Sequence, residues 1–439
     1  MTKQILSVLT ILLVSPLLLF SQNNYDDITV MHYNLLNYRN STSYCTASNN
    51  STGTKEDGLK TIIQYKDPDI VTFNEVGSAI NNIARLDQNV MNVDGVTKYA
   101  YTDYQATNGS DLMNVIFYNN EVLEVYSKTS ITQNLDNTHI VRLIDVTTFY
   151  HKDPVLEQTL DTNFLTVFTA HLKAGNTTAD RGDRAKATAA IMNYISNHPE
   201  IENYILTGDL NTYNGNHDPF QNLVGSNAAD SRFYDPMQMV GNWNNSASFS
   251  YVHTQSTRSV SNGCFSSSGL DDRFDFILIN GSIRNDENRI EYIDGSYEAL
   301  GQDGNRFNGA IDDPANNSEP TDIIQALYDV SDHLPIFLDL RMTYSAPVGI
   351  NDQNLSSFYV RAKQPSSGQL ALLPKGSGNT QGSIRIYNIL GQTVFSSDHI
   401  EFTDGTWINI PVEDLPQGVL IIQTQLNNGL SNTLKIVKS

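Results

Sequence analysis

The segment that most constrains the fold of this chain is Ile205–Asn211, a short apolar run that stops at Gly208. Its first residues predict a buried strand, and Asp209 and Asn211 follow the glycine. Because side chains alternate along an extended segment, these two should project to one side, where their oxygens could share a phosphate or a hard cation. The same sequence also suits a turn, in which Asp209 and Asn211 satisfy local amides. The heptapeptide alone leaves both interpretations open.

Several other apolar runs end at, or contain, polar residues of the kinds that a hydrolytic metal site needs. They are Asn34 after Ile28–Tyr33, Glu75 after Asp69–Phe73, His171 after Phe164–Ala170, Asp275 within Phe274–Ile279, and Asp332 with His333 before Pro335–Leu340. Each is a weak signal by itself, since Asn and Asp are common where strands give way to turns. Their occurrence together and in order indicates a site.

Helices are predicted between some of these strands. Apolar residues at helical spacing predict helices at Lys55–Tyr65, 79–91 and Asp183–Asn197. A turn at Asn119-Asn120 predicts a β-hairpin, and the polar, Gly- and Asp-rich residues 280–330 predict an elaborated loop region. Strands in both halves with helices between them indicate two sheets packed face to face, with the helices outside.

The two ends of the chain differ from its middle. Residues 1–21 predict a secretory signal peptide, because Lys3 precedes the apolar run Ile11–Phe20. A retained anchor is the alternative, but Pro16 interrupts a run that is short for a membrane span, which favours cleavage. Residues 345–355 predict a linker, and residues 356–439 predict a small all-β module to which we assign no chemistry.

Acidity is concentrated between these ends. The chain has 439 residues, enough for two or three domains, and a formal net charge of −21. The net charge is +1 for residues 1–21 and zero for residues 345–439, so residues 22–344 have a net charge of −22. Such a field repels nucleic acid and anionic lipid unless bound cations invert it locally, so phosphate chemistry here should depend on divalent metal and on salt. The solubility that a secreted protein needs also explains the acidity.

The chain has two cysteines, Cys45 and Cys264. An exported protein can oxidise such a pair, and the sequence is compatible with a disulfide and with two free thiols. Both cysteines lie in polar, Ser-rich segments rather than in apolar runs, which favours the disulfide.

The ordered motifs resemble the endonuclease/exonuclease/phosphatase superfamily, the deoxyribonuclease I-like fold that includes abasic-site endonucleases, neutral sphingomyelinases and inositol polyphosphate 5-phosphatases. The matching motifs are His32-Tyr33-Asn34, Phe73-Asn74-Glu75-Val76, Ala170-His171-Leu172, Gly208-Asp209-Leu210-Asn211, Phe274-Asp275-Phe276-Ile277 and Ser331-Asp332-His333-Leu334-Pro335. The resemblance covers residues 25–342. It implies an α+β chain whose residues 22–344 form a four-layer α/β sandwich, followed here by the small all-β module.

The same resemblance implies a divalent metal. Glu75 would be the principal ligand, helped by Asn34 and, across the site, by Asp332. A carboxylate suits Mg²⁺ or Mn²⁺, and Ca²⁺ is an alternative as a structural ion. The reaction implied is in-line attack of water on a phosphodiester.

The remaining site residues receive roles from the resemblance as well. Asp209 and Asn211 would position the scissile phosphate or the attacking water. His333, oriented and kept basic by Asp275, would act as general base or stabilise the charged phosphorane. His171 would donate a hydrogen bond or a proton to the phosphate or the leaving oxygen.

Two features depart from the superfamily pattern. Some of its nucleases have a basic residue ahead of the strand at 115–118 that grips the phosphate backbone, whereas the segment 108–114 here has none. DNA binding is therefore less strongly indicated. The sequence also offers no evident carboxylate partner for His171, and Asp111 is the candidate.

The C-terminal module resembles the type A sorting domain of the type IX secretion system of Bacteroidetes. The resemblance rests on Ile384–Gln392, Leu415–Val419 and Lys435–Lys438. It implies export through the periplasm to the cell surface or the medium, with the type IX machinery as partner and with removal of the module as an option. An adhesive or carbohydrate-binding β-sandwich is the alternative.

Three functional hypotheses follow. The first is a secreted, metal-dependent phosphodiesterase, most simply a nuclease acting on extracellular DNA or RNA. The second is an esterase directed at a phospholipid headgroup, such as a sphingomyelinase, which the acidic surface and the missing basic residue make credible. The third is a non-catalytic binding protein on the same fold. We expect a monomer in each case.

Overall fold

The structure is a computed structural model that describes residues 24–102, 109–159, 161–225 and 231–344 of the N-terminal region. Of the C-terminal module it describes residues 359–366, 369–375, 378–388, 390–411, 415–428 and 430–438. The predicted signal peptide at 1–21 and the predicted linker at 345–355 lie outside these ranges. Within the described ranges, no helix is both long and apolar enough to cross a membrane.

The N-terminal region combines strands with helices. The strands are β1 (Tyr25–Tyr38), β2 (Ile70–Gly77), β3 (Tyr99–Thr102), β4 (Leu112–Asn119), β5 (Leu123–Gln133), β6 (His139–His151), β7 (Phe164–His171), β8 (Tyr204–Asp209), β9 (Phe233–Tyr234), β10 (Asp275–Asn280), β11 (Ile290–Tyr292), β12 (Glu298–Ala299) and β13 (Ile336–Thr343). The helices are α1 (Thr52–Lys66), α2 (Asn81–Leu86), α3 (Leu156–Thr159), α4 (Thr178–Asn197), α5 (Asp218–Val224), α6 (Gly281–Asn285) and α7 (Thr321–Val330). A π-helical turn, Asp87–Met91, continues α2, and Ala247–Val252 forms a 3₁₀ helix.

The strands form two mixed sheets. The first has the order β11-β13-β1-β2-β4-β3, with β12 also paired to β13, and the second has the order β5-β6-β7-β8-β10-β9. In each sheet one central pair is parallel, β1 with β2 and β7 with β8. The other pairs are antiparallel. Because parallel strands end at the same edge of a sheet, each sheet brings two strand ends together.

Three apolar clusters separate four layers. Helices α1 and α7 cover the first sheet, where Leu59 and Leu327 pack in the same cluster as Tyr33. The two sheets pack against each other through a second cluster that includes Val30 of β1 and Ile277 of β10. Helices α4 and α5 cover the second sheet through a third cluster. The predicted four-layer α/β sandwich is therefore confirmed.

The two main helices begin at side-chain caps. The Ser51 side chain accepts a hydrogen bond from Thr54 N at the start of α1. At the start of α4, Thr177 and Asp180 form a reciprocal capping box, in which each side chain accepts from the other residue's backbone N–H. Both helices end just before the Asp-Pro and His-Pro sequences that predict their termination.

The hairpin predicted at Asn119-Asn120 is wrong. Strand β4 pairs with β2 and β3 in the first sheet, whereas β5 pairs with β6 in the second. The chain crosses between the sheets here because Leu123 is buried in the cluster between them and the Asn119 side chain donates to Asp69 Oδ1 at 2.8 Å. The turn residues are present, but burial decides which strands pair.

The loop interpretation of residues 280–330 is wrong in part, because α6, β11, β12 and α7 lie within this range and α7 is the longest of them. Helix α7 occupies Thr321–Val330 and buries Ile323, Ile324, Leu327 and Val330 against the first sheet and α1. These four residues have the spacing of an amphipathic helix face. The polar residues before them obscure that pattern in the sequence.

The C-terminal module is all-β, as the sequence predicts. Its strands are β14 (Tyr359–Ser366), β15 (Gln369–Lys375), β16 (Asn379–Asn388), β17 (Thr393–Thr403), β18 (Ile408–Pro411), β19 (Gly418–Leu426) and β20 (Ser431–Lys438). They form a three-stranded sheet, β14-β15-β18, and a four-stranded sheet, β17-β16-β19-β20. Buried side chains such as Leu370 and Ile422 from both sheets share one apolar cluster.

Cys45 and Cys264 form a disulfide, which confirms the favoured prediction. The cysteines are 219 residues apart in sequence, and the bond joins the loop after β1 to the loop before β10. Both cysteines are buried in a small cluster with Leu36 and Phe265. The bond therefore ties together two loops that come from different halves of the chain.

Replacement of both cysteines, Cys45→Ser with Cys264→Ser, should lower the free energy of unfolding by about 2–5 kcal/mol, because a long loop in the unfolded chain is no longer closed. Denaturant titration of the variant and of the parent protein measures this. A reducing agent should destabilise the parent and leave the variant unchanged. Equal stability of the two proteins under oxidising conditions would contradict this role of the bond.

Candidate active site

The sequence-predicted polar residues converge at one edge of the sandwich. The parallel pairs β1 and β2, and β7 and β8, both end there, and the antiparallel strand β10 begins there with Asp275 directly opposite Asp209. Strand β13 begins at the same edge, because its Ile336 lies opposite His32 of β1. The predicted residues brought to this edge are Asn34, Glu75, His171, Asp209, Asn211, Asp275, Asp332 and His333.

Asn34 joins two carboxylates that belong to different sheets. Its side-chain Nδ2 donates to Glu75 Oε1 at 3.1 Å and to Asp209 Oδ2 at 2.9 Å. Its Oδ1 accepts from Leu36 N at 2.9 Å, and the second oxygen of Glu75 accepts from Asn37 N at 2.9 Å. In this orientation Asn34 positions the carboxylates, and its role as a metal ligand stays a prediction that requires the amide to turn.

The backbone is unusual at the same positions. Glu75 and Asn211 have positive φ angles of 59° and 47°, which non-glycine residues seldom adopt. At Gly208 a Cβ atom would lie 1.9 Å from the carbonyl oxygen of Ala170 on the neighbouring strand. Backbone conformations that are energetically unfavourable persist only where the surrounding structure stabilises them. They are concentrated at functional sites.

Glu75, His171 and Asp209 offer atoms that could hold one metal ion. One ligand atom from each lies within 4.8 Å of the others, and His171 Nε2 lies 3.7 Å from Glu75 Oε1 and 3.6 Å from Asp209 Oδ2. Burial raises the pKa of Asp209 to about 7, and the charges of Asp275 and Glu75 act in the same direction. Two carboxylates and an imidazole, held close at a cost in electrostatic energy, fit a divalent cation.

His171 is almost completely buried, with 3% of its surface exposed. Burial, together with the nearby charge of Arg142, lowers the pKa of His171 well below 6.5, so its ring is neutral near pH 7. A neutral imidazole can donate one N–H hydrogen bond or bind a metal. Its carboxylate neighbours are Glu75 and Asp209, so Asp111, which is exposed, is the wrong candidate for its partner.

His333 and Asp275 form a buried pair beside this group. His333 Nδ1 lies 2.8 Å from Asp275 Oδ2, which also accepts from Thr254 Oγ1 at 2.6 Å. Burial lowers the pKa of His333, but the charge and hydrogen bond of Asp275 outweigh it and raise the pKa well above 6.5. The His333 ring of the cation-free site is therefore protonated near pH 7, and the positive charge of a cation bound at Glu75 and Asp209 would lower its pKa. Its Nε2 lies 3.9 Å from Asp209 Oδ2, which links the pair to the metal-fitting group.

Asp332 is a further carboxylate near His333. Its Oδ1 lies 4.0 Å from His333 Nε2. Its Oδ2 accepts from Ser266 N at 3.0 Å, in the loop that the disulfide holds. Burial raises the pKa of Asp332 and lowers the pKa of the neighbouring Lys55 to about 7. Asp332 is outside the three-residue group that fits a cation, so its role as a ligand across the site stays a prediction.

Four residues at the site were missed by the sequence prediction. His32 Nε2 lies 3.4 Å from Asp275 Oδ1, and Gln255 Nε2 lies 2.8 Å from His333 Nε2. Thr254 bonds Asp275, and Asn74 Oδ1 accepts from Asp209 N at 2.9 Å. His32 and Asn74 lie inside the motifs quoted above, one or two residues from Asn34 or Glu75, and that proximity was the available signal.

Comparison with known proteins gives one family match. Residues 364–439 match the model of the secretion system C-terminal sorting domain, which confirms the predicted sorting domain. A domain of this kind indicates export to the cell surface or the extracellular space. No curated protein matches the chain.

Several solved structures are similar to the chain. The human Nocturnin catalytic domain with bound sulfate is 13% identical with a TM-score of 0.46, covering 73% of this chain and 98% of that one. An endonuclease/exonuclease/phosphatase from Bacteroides vulgatus is 15% identical with a TM-score of 0.46, covering 72% and 99%. D. rerio TDP2 complexed with single strand DNA product is 11% identical with a TM-score of 0.42, covering 72% and 98%. The fold is assigned on the strand order and the layers described above.

Substitution Gly208→Ala should destabilise the protein by at least about 1–3 kcal/mol, because the new methyl group meets the Ala170 carbonyl at the junction of β7 and β8. Gly182→Ala is the matched control, since that glycine lies within helix α4 with open space around it. The control should be stabilised by about 0.5–1 kcal/mol. Thermal unfolding of the three proteins tests this, and equal melting temperatures for Gly208→Ala and the parent would contradict it.

Proposed function

We propose that this protein is a secreted, divalent-metal-dependent phosphodiesterase. The observation that carries the proposal is the meeting of two units at one edge of the sandwich. One is the cation-fitting group of Glu75, His171 and Asp209, and the other is the Asp275–His333 pair, with 3.9 Å between Asp209 Oδ2 and His333 Nε2. A cation site beside an oriented histidine base is the equipment that hydrolysis of a phosphodiester requires.

Mg²⁺ or Mn²⁺ would be held mainly by Glu75, with Asp209 within reach, and His171 Nε2 would stay outside the coordination shell so that it can donate a hydrogen bond. When bound, the cation would neutralise charge on the phosphate and favour ionisation of the attacking water. Asp209 and Asn211 would position the phosphate and the water. Asn34 keeps the carboxylates of Glu75 and Asp209 together, so that both face the same small volume.

The proposed step is an in-line displacement. The water oxygen forms a new bond to phosphorus while the opposite bond from phosphorus to the leaving oxygen breaks. The proton of the water passes to Nε2 of His333 in its neutral form, which a bound cation would favour, and Asp275 stabilises the imidazolium that results. Neutral His171 donates a hydrogen bond to the leaving oxygen, which takes its proton from solvent. The Gln255 amide nitrogen, 2.8 Å from His333 Nε2, hydrogen-bonds the same atom, so the attacking water would have to displace it.

Nucleic acid, with DNA first, is the substrate class that we propose. A phospholipid headgroup, as in a sphingomyelinase, is the second candidate, because the region has a net charge of −22 and lacks the basic residue expected at 108–114. Release of phosphocholine from sphingomyelin vesicles would identify the second candidate. A non-catalytic binding protein would show no change of rate on any phosphate substrate when His333 is replaced by Ala.

We further propose the route of export. The sorting domain supports secretion by the type IX machinery, and residues 1–21 fit a cleaved signal peptide that precedes it. The catalytic domain would then span residues 22–344, with the linker at 345–355 as the place where the module is removed. The protein would act as a monomer.

The full-length protein should cleave DNA only when Mg²⁺ or Mn²⁺ is present, and excess chelator should abolish the activity. Substitution Asp209→Asn should lower kcat/KM by about 10²–10⁴-fold, because one negative charge of the cation-fitting group is lost while its shape is kept. Gel or fluorescence assays of plasmid and oligonucleotide cleavage measure both effects.

Asp57→Asn on the exposed face of α1 is the charge-matched control and should keep the parent activity. Cleavage that persists in chelator, or equal cleavage by Asp209→Asn and the parent, would reject the proposed function.

A further inference from the structure

A small basic pocket adjoins the candidate active site. It has a volume of about 180 Å³, and its cationic lining consists of Arg142 from β6, Lys173 after β7 and Lys186 from α4. His171 lines the same pocket and also belongs to the cation-fitting group. The pocket therefore begins where the proposed phosphate site ends. Three cationic side chains in one small pocket are unexpected in a region whose net charge is −22.

The two lysines have partners at the surface. Lys173 Nζ lies 3.0 Å from Asp180 Oδ1, and Lys186 Nζ lies 2.9 Å from Asp136 Oδ2. Their side chains are more than two-fifths exposed, and pairs of this kind are weak and easily exchanged for another anion. Asp183, exposed on α4, also lines the pocket and moderates its charge.

Arg142 is different from the lysines. Its Nη1 donates to the carbonyl oxygen of Leu172 at 2.8 Å, which fixes the guanidinium beside His171. Among the described residues Arg142 forms no ion pair, and its charge helps to lower the pKa of His171. A half-buried guanidinium that is fixed through one nitrogen keeps its other N–H groups for an anion.

We propose that this pocket binds a second phosphate of a polynucleotide, next to the scissile phosphate, with Arg142 as its main anchor. The inference rests on the proposed function and names its substrate class. The planar guanidinium matches phosphate oxygens in pairs, and the two lysines add point charges around them. In the backbone of DNA or RNA, a neighbouring phosphate lies on each side of the scissile phosphate.

The pocket disfavours the phospholipid alternative. A phosphocholine headgroup carries a quaternary ammonium, which three cations would repel and which prefers aromatic faces. A phosphoinositide headgroup has additional phosphates, so the pocket could bind it in the same way as a polynucleotide. Phosphoinositide vesicles are therefore a separate arm of the test. The basic residue that the sequence lacks at 108–114 is thus replaced by residues from β6, β7 and α4.

The test compares two substrates of the full-length protein with Mn²⁺. One is a single-stranded oligodeoxynucleotide, and the other is bis(p-nitrophenyl) phosphate, a phosphodiester without a second phosphate. The variant Arg142→Gln keeps a donor for the Leu172 carbonyl but loses the charge. The ratio of kcat/KM on the oligonucleotide to kcat/KM on the small ester should fall about tenfold or more, since a charge-assisted contact is lost.

Four further measurements sharpen the result. Arg142→Lys should recover part of the ratio, and Arg289→Gln, in an ion pair with Asp161, should keep the parent ratio. The slope of log kcat/KM against log salt should become shallower by about 0.7 in Arg142→Gln. A methylphosphonate that neutralises the linkage next to the cleaved bond should lower the parent's kcat/KM on the oligonucleotide to a similar extent.

The outcomes separate two failures. An unchanged ratio for Arg142→Gln, or full tolerance of the methylphosphonate by the parent, overturns the subsite while the parent still hydrolyses the small ester. Faster cleavage of sphingomyelin or phosphoinositide vesicles than of oligonucleotide overturns it too. Failure of the parent to hydrolyse any of these phosphodiesters with Mn²⁺ would instead reject the proposed function.

Discussion

The hydrogen bonds of Asn34 to Glu75 and Asp209 are the contact on which the candidate site depends. The two carboxylates come from different sheets, both are largely buried, and like charges in a dry environment repel strongly. A neutral amide that donates to both permits their approach. The same bonds join the first sheet to the second at the edge where the parallel strand pairs end, so the site and the packing of the sandwich are set together.

The surrounding structure stabilises this arrangement through buried polar groups. Asn74 holds the backbone of Asp209 and donates to Asn114, which in turn donates to Asp145 Oδ2 at 3.0 Å. Because buried polar groups are costly unless satisfied, such a connected network fixes the relative position of the sheets. The disulfide adds a covalent link between the loop after β1, the strand whose Asn37 contacts Glu75, and the loop whose Ser266 contacts Asp332. These contacts hold the side chains of the site in place.

Much of the site could be predicted from sequence because strand ends follow from short-range patterns. An apolar run followed by Asp209 or Glu75 is visible without knowing which strands pair. Pairing itself is non-local, and for this reason the hairpin at Asn119-Asn120 was wrongly predicted, since the burial of Leu123 between the sheets decides the crossing. The position of Arg142 beside His171 likewise arises from the pairing of β6 with β7, and no local pattern signals it.

The orientation of Asn34 and the metal assignment are tested most directly by diffraction from crystals grown with Mn²⁺, using its anomalous signal. We expect one strong peak at about 2.0–2.6 Å from a carboxylate oxygen of Glu75, facing Asp209 and His171. The electron density should also show whether the Asn34 amide turns its oxygen toward the ion. A saturated crystal with no peak at Glu75, or with Mn²⁺ bound only at other acidic groups, would contradict the assignment of a cation site to Glu75, His171 and Asp209.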